Sequence, residues 1–398
     1  MLKALEGSQA IAETVMLCRP QVVAAYPITP QTHIVENIAK LVANGKMSCE
    51  LVSVESEFSA ASLVLGAASA GSRCYTASAS QGILLMSEVL YNIAGLRVPM
   101  VMTCANRAIS APLSIWNDQQ DSMAVRDAGW IQLYCADNQE AVDTTIQAYR
   151  ISEKTELPVM VCVDGFTLTH TLEPIDIPDQ DIVDTFLPPF NFARALNPRN
   201  PISVGTLVSP DFYPEARHSH HHALLDSITE ILAADAEWEQ LSGRNAGGLL
   251  AANGPEDARI GILTLGSIYG TLSAARDEYT DLPATRLIKL RAYRPFPSDA
   301  LREACDGLTD LIVLERALSP GFGGIVASEV HSALATMEST PRIHNFAVGL
   351  GGRDIPLELY RKLHDTISTA EPTPFMIIDV DLNKLPIEDR GLNWAAGG

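Results

Sequence analysis

Along the N-terminal part of the chain, short runs that are apolar at nearly every position alternate with longer stretches whose apolar residues recur every three or four places. The runs PQVVAAYPI, CELVSVE, RCYTAS, VPMVMTCA and LPVMVCVDG predict strands buried on both faces. Between them, a helix capped by Ser8 and running to about Leu17, then Gln31–Ala43, Ser56–Ala70, QGILLMSEVLYNIAG and QEAVDTTIQAYRISEK predict helices. Strands of that kind, each returned by a helix, build a parallel sheet covered on both sides, so the fold class is α/β with a doubly wound parallel sheet. From about Phe166 to Asp257 the rhythm lapses into Pro-rich sequence such as IPDQDIVDTFLPPFNFARALNPRNP, with one helix-like stretch from Tyr213 to Leu241. A second series follows, with ARIGILTLG, TRLIKLRAY, LIVLERA and RIHNFAV as strands and helices near 270–280, 298–305, 323–336 and 356–368. The expected organisation is a first domain over 1–250, including an irregular excursion at about 166–250, and a smaller α/β domain over 258–398.

Charge narrows the partners. The 28 basic and 48 acidic residues give a net charge of −20, which opposes binding to nucleic acid or an anionic membrane surface, since both need a positive face. No apolar run approaches the roughly 20 residues of a membrane span, and MLKALEGSQAIAET lacks the apolar centre of a signal peptide, so a cytoplasmic location is expected. The seven cysteines are widely spaced, mostly inside strand-like runs, and read as buried reduced thiols. No CxxC pair occurs, which removes the usual spacing for a cubane iron–sulfur cluster on this chain.

The chain also lacks GxGxxG after a strand, GxxxxGK[ST], GxSxG and HExxH, so dinucleotide, P-loop, serine-hydrolase and zinc-protease chemistry are without their residues. Three other segments carry candidate chemistry. In AAYPITP two prolines stiffen a loop directly after a strand, and the Thr29 hydroxyl can either donate to a ligand oxygen there or cap the next helix. In VESEFSAASLVLGAASAG, Glu57 begins a helix of small and apolar residues. It is either a carboxylate facing a close-packed contact or, like Glu55, a plain first-turn acid. In NRAISAPLSIWNDQQDSMAVRDAGW, a long irregular stretch after a strand begins with Arg107, suited to a substrate carboxylate or to a salt bridge with Asp118 or Asp121. The run His218–His222 offers imidazoles, but no acidic or cysteine partner lies at ligand spacing, and it reads as solvated surface. Gly-rich SPGFGG and GLGG suit either a phosphate cradle or tight turns.

Taken together in this order, YPITP, ESE before a small-residue helix, SQGILLM, NRAxSxPxxIWNDxxDxMxxRDxGW, RAYRPFP and VLERALSPGFGG resemble the α subunit of pyruvate:ferredoxin oxidoreductases over nearly the whole chain. The resemblance implies a pyrimidine-binding-type domain of thiamine enzymes followed by a transketolase C-terminal-like domain. It implies thiamine diphosphate shared with a β subunit that holds the diphosphate and Mg²⁺, for which the GDG motif is absent here. [4Fe-4S] clusters are expected on partner subunits of γ and δ type or fused equivalents, ferredoxin as electron acceptor, and coenzyme A as co-substrate. Glu57 is implied as the catalytic group that contacts the aminopyrimidine and promotes loss of the thiazolium C2 proton, with Thr29 and Arg107 meeting the 2-oxoacid and Thr29 also near the cofactor. Thr29 with a single arginine favours a small monocarboxylate over 2-oxoglutarate, branched-chain oxoacids or oxalate. A non-catalytic scaffold subunit is the contrasting possibility.

Overall fold

The computed structural model describes residues 2–369 and 375–389, which form two compact units: 2–249 with 291–297, and 250–290 with 298–369 and 375–389. In the first unit the elements run β1 (Leu2–Glu6), α1 (Gly7–Leu17), β2 (Val22–Ala25), α2 (Thr32–Ala43), β3 (Glu50–Ser53), α3 (Glu57–Ser69), β4 (Cys74–Ser78), α4 (Ser80–Leu85), α5 (Ser87–Gly95) and β5 (Val101–Asn106). They continue with α6 (Gln120–Ala124), β6 (Ile131–Tyr134), α7 (Asn138–Thr155), β7 (Val159–Asp164), β8 (Leu172–Asp176), α8 (Gln180–Phe186) and α9 (Tyr213–Ser242). The second unit holds β9 (Leu250–Asn253), β10 (Ile260–Thr264), α10 (Ile268–Glu278) and β11 (Thr285–Leu290). After β12 (Ala292–Arg294) come α11 (Ser298–Cys305), β13 (Asp310–Glu315), α12 (Ile325–Leu334), β14 (Arg342–Ala347), α13 (Glu358–Thr369) and β15 (Met376–Ile377).

The first unit is built on a seven-stranded sheet in the order β12-β6-β7-β5-β4-β2-β3, parallel except for β12. Every residue of β4, β5 and β7 is buried, which is why these strands read as unbroken apolar runs. The second unit has a six-stranded sheet, β15-β14-β13-β10-β11-β9, in which only β9 runs antiparallel. Each sheet carries its own hydrophobic core.

Several expectations need correction. The segment Arg291–Pro297, counted above with the second domain, belongs to the first unit: Ala292 joins its core and β12 pairs with β6. The fully buried Arg291 donates to the Gly248 carbonyl and to Gln147 Oε1, both at 2.8 Å, which ties this segment into the unit by satisfied hydrogen bonds. Ser8 is not the cap of α1. The cap position is Glu6, and Ser8 Oγ instead donates to the Thr169 carbonyl at 2.7 Å. The stretch QGILLMSEVLYNIAG forms two helices, α4 and α5, that meet at Met86. Within the excursion, β8 pairs antiparallel with β1, and α9 packs along α7 with Trp238 fully buried edge-on to Phe186, ring centroids 5.2 Å apart. Among the described residues no helix is long and apolar enough to cross a membrane.

Candidate active site

The winding of the first sheet reverses at β2, which has β3 on one side and β4 on the other. Where successive connections diverge in this way, the carboxyl ends of the two strands leave a crevice, the usual ligand position in open α/β sheets. The loop Tyr26–Pro30 leaves β2 there, the turn Ala79–Gly82 leaves β4, and the segment beginning at Arg107 leaves the neighbouring β5.

Glu57 is the first residue of α3. Ser56 caps the helix, its hydroxyl accepting the Ser59 N–H at 3.2 Å, so the Glu57 carboxylate is not needed as a cap. The small residues of α3 allow it to lie against β2, β4 and α5. Glu57 is only 7% exposed, and its carboxylate accepts no hydrogen bond among the described residues. Glu55 is different in kind: it is exposed and accepts from Ser59 Oγ at 2.6 Å, which holds its carboxyl below the usual value. Two acids that look alike in the sequence are thus separated by burial.

Gly82 forms the floor beneath Glu57. A Cβ at this position would stand 2.8 Å from Glu57 Cγ and Oε1 and 2.3 Å from Ser78 Oγ. The Ser78 hydroxyl is itself buried without a partner, as are Gln81 Nε2 and both amide atoms of Asn117. A buried polar group left unpaired costs about 1–3 kcal/mol, so these four atoms are a standing cost close to the ends of β4 and β5.

Arg107 forms no salt bridge with Asp118 or Asp121. Its side chain is buried, with Nε donating to the Ser114 carbonyl at 3.0 Å and Nη1 to the Thr29 carbonyl at 2.9 Å. Arg107 therefore staples the Tyr26–Pro30 loop to its own loop. Thr29 does not cap α2, whose cap position is Gln31; the residue is exposed, with its carbonyl held by Arg107. Asp121 instead organises the backbone: fully buried, it accepts from Ser80 N, Arg107 N, Ser122 N and Asn106 Nδ2 at 2.8–3.0 Å. Burial pushes its carboxyl above the usual value, against those four hydrogen bonds. One side chain thus fixes the turn after β4 and the loop after β5 together.

Residues 13–233 match the family model described as pyruvate flavodoxin/ferredoxin oxidoreductase, thiamine diphosphate binding, and residues 258–359 match pyruvate:ferredoxin oxidoreductase core domain II. The chain belongs to the pyruvate:ferredoxin oxidoreductase family. Over 364 residues it is 44% identical to pyruvate synthase subunit PorA of Methanosarcina barkeri, covering 90% of each chain. It is 38% identical over 354 residues to ketoisovalerate oxidoreductase subunit VorA of Pyrococcus horikoshii, covering 88% of this chain and 90% of that one. Its fold is that of 2-oxoglutarate:ferredoxin oxidoreductase from Magnetococcus marinus, solved with 2-oxoglutarate, coenzyme A and succinyl-CoA, at a TM-score of 0.70 and 20% identity, covering 92% of this chain and 65% of that chain.

The residues present fit the family's cofactor. A buried carboxylate without a protein partner, an orphaned hydroxyl and a glycine where a Cβ would collide with both are compatible in their chemistry with that group.

Elsewhere in the chain, two sequence readings change. The Gly-rich SPGFGG is not an open phosphate cradle, because the Glu315 carboxylate already accepts the N–H groups of Ile325, Val326 and Ala327 at 2.9–3.2 Å. A Cβ on Gly324 would come within 2.2 Å of Glu315 Oε1, so the glycine is there to admit this side chain. In GLGG the Gly349 N–H is likewise taken, by Asp379. The run His218–His222 lies on α9 and is not uniformly solvated: His220 is buried against the Gly129 carbonyl, while His218 and His222 stack one turn apart at the surface. Sequence reasoning passed over Ser78, Gly82 and Asn117 as individuals. They stood inside the quoted motifs, but nothing in their spacing told a floor residue from a turn residue.

Proposed function

We propose that this chain is the α-type subunit of a pyruvate:ferredoxin oxidoreductase, which converts pyruvate and coenzyme A to acetyl-CoA and CO₂ with reduction of ferredoxin, or runs the reverse. The observation that carries this reading is the buried, unpartnered Glu57 carboxylate on the Gly82 floor at the sheet's reversal point, in a chain of this family. Thiamine diphosphate, when bound, supplies the carbon nucleophile and the electron sink for decarboxylation. Glu57 would meet the aminopyrimidine at N1′, with Ser78 and Gly82 lining the space beside it.

Arg107 and Thr29 meet the 2-oxoacid. Two of the guanidinium's N–H groups are committed to the Ser114 and Thr29 carbonyls, which leaves Nη2 facing no protein partner among the described residues. A single contact of this kind orients a carboxylate without gripping it in the ground state. That suits the reaction, because decarboxylation drains charge from that group and a tight hold would oppose it. Pyruvate is favoured by the 44% identity to a pyruvate synthase subunit. The 38% identity to a ketoisovalerate oxidoreductase subunit makes branched-chain oxoacids the second reading.

The β subunit holding diphosphate and Mg²⁺, the γ- and δ-type chains carrying [4Fe-4S] clusters, and cytoplasmic ferredoxin complete the proposed assembly. Purification of the native complex, followed by coenzyme-A-dependent viologen reduction with a panel of 2-oxoacids, tests it. Pyruvate should give the highest kcat/KM; activity on no 2-oxoacid would overturn the proposal.

A further inference from the structure

Outside this crevice the first unit brings together a second set of chemical groups. Glu6 at the end of β1, His33 in the first turn of α2 and His170 after β7 place one ligand atom each within 4.8 Å of one another. They come from three separate segments, so sequence spacing does not reveal them. We propose that Glu6, His33 and His170 form a binding site for a divalent transition-metal ion of the Zn²⁺ class, with two imidazole nitrogens and one carboxylate oxygen as ligands and a fourth position open to solvent.

The donor set and its surroundings are those of a built site. Two imidazoles and a carboxylate with an open position is an ordinary Zn²⁺ arrangement. Glu6 occupies the cap position of α1, yet its side chain makes no capping bond; it turns instead to His33, with Oε1 2.6 Å from Nδ1. His170 is oriented from behind: its Nδ1 lies 2.8 Å from Thr169 Oγ1, which in turn accepts the Phe166 N–H at 2.8 Å. That leaves Nε2 as the ligand atom and Thr169 as the outer partner that fixes ring orientation. The two imidazole rings lie 4.4 Å apart between centroids. Phe166, held at a left-handed φ of 58°, stacks against His170 at 4.6 Å and extends to Trp116 at 4.6 Å, walling one side.

Binding an ion moves the ligand atoms in both directions, closing separations of up to 4.8 Å and opening the shortest one. Zn–N and Zn–O bonds of about 2.0–2.2 Å at tetrahedral angles set ligand atoms about 3.4 Å apart. The close Glu6–His33 pair opens by less than ~1 Å, within reach of a side chain that is 28% accessible. The ion takes the place of the direct contact between these two groups. It would join β1, the start of α2 and the segment after β7, and α2 follows directly on the Tyr26–Pro30 loop.

The test uses the full chain, stripped of metal and kept reduced, titrated with Zn²⁺ against a chromophoric chelator. The surface pair His218 and His222 is the competing binder, so wild type and His218→Ala/His222→Ala are compared. Both should take up one tight equivalent. His170→Ala and Glu6→Gln should weaken that equivalent at least ~100-fold, and Thr169→Val, which leaves all three ligands in place, should weaken it ~10–100-fold. Co²⁺ in the same site should show tetrahedral visible absorption without a thiolate charge-transfer band. Three results would overturn the proposal: no tight equivalent in wild type, its loss in His218→Ala/His222→Ala, or its survival in both Glu6→Gln and Thr169→Val.

Discussion

Replacing Gly82 by alanine tests whether the floor beneath Glu57 is functional. Gly82 lies inside α4, where alanine is the better helix former by about 1 kcal/mol, so the backbone does not resist the change. The obstacle is the side chain's destination, 2.8 Å from Glu57 Cγ and Oε1 and 2.3 Å from Ser78 Oγ. Ordinary carbon contacts begin near ~3.5 Å, so the Glu57 carboxyl must retreat by roughly 0.7 Å. Misplacement on the order of 1 Å at a reacting centre costs about 100-fold in rate. In the assembled complex, kcat for pyruvate-dependent viologen reduction should therefore fall ~30–100-fold. Overpacking of about 1–3 kcal/mol is partly offset by the helix gain, leaving a net cost of at most about 2 kcal/mol, so the melting temperature should fall by only a few degrees. Ser78 can yield by rotating its hydroxyl, and this separates the two contacts. In Ser78→Ala/Gly82→Ala the 2.3 Å conflict disappears and that with Glu57 persists, so the activity loss should persist too. Full activity in either variant would refute the reasoning.

Two further outcomes follow from the same geometry. Arg107→Ala should raise the KM for pyruvate far more than it lowers kcat, since the guanidinium staples the Thr29 loop and is proposed to orient the substrate; steady-state kinetics showing an unchanged KM with a large loss of kcat would contradict this. Burial pushes the Glu315 carboxyl up to about 7 despite three backbone N–H donors. The folded chain then keeps a proton that the unfolded chain loses above pH ~4.5, so stability falls as pH rises from there to about 7 and levels off beyond. The shift corresponds to about 3 kcal/mol, and differential scanning calorimetry from pH 4.5 to 8 should show that decline in wild type and a flatter profile in Glu315→Gln.

Strands buried on both faces announce themselves by composition, so β2, β4, β5 and β7 were legible, as was the helix α9 within the irregular excursion. Elements whose identity depends on a distant partner were not. The strand β1 exists because it pairs with β8, 166 residues or more away in the chain, and β12 joins the first sheet only through β6. The site divides along the same line. Glu57, Thr29 and Arg107 stood out because a charged or hydroxyl-bearing residue beside a strand end is conspicuous. Their environments did not: whether Glu57 or Glu55 is buried, and whether Arg107 meets an acid or two carbonyls, depends on tertiary packing. The triad of Glu6, His33 and His170 has no local pattern at all.

The central claim is that this chain contributes the Glu57 carboxylate to a thiamine diphosphate site completed by a partner subunit. Hydrogen–deuterium exchange at C2 of thiamine diphosphate bound to the assembled complex, wild type against Glu57→Gln, measures that contribution most directly. Proton transfer by a positioned side chain is worth about 10²–10⁴-fold, so exchange in Glu57→Gln should slow by that factor with the complex intact. Exchange at the wild-type rate would contradict the account.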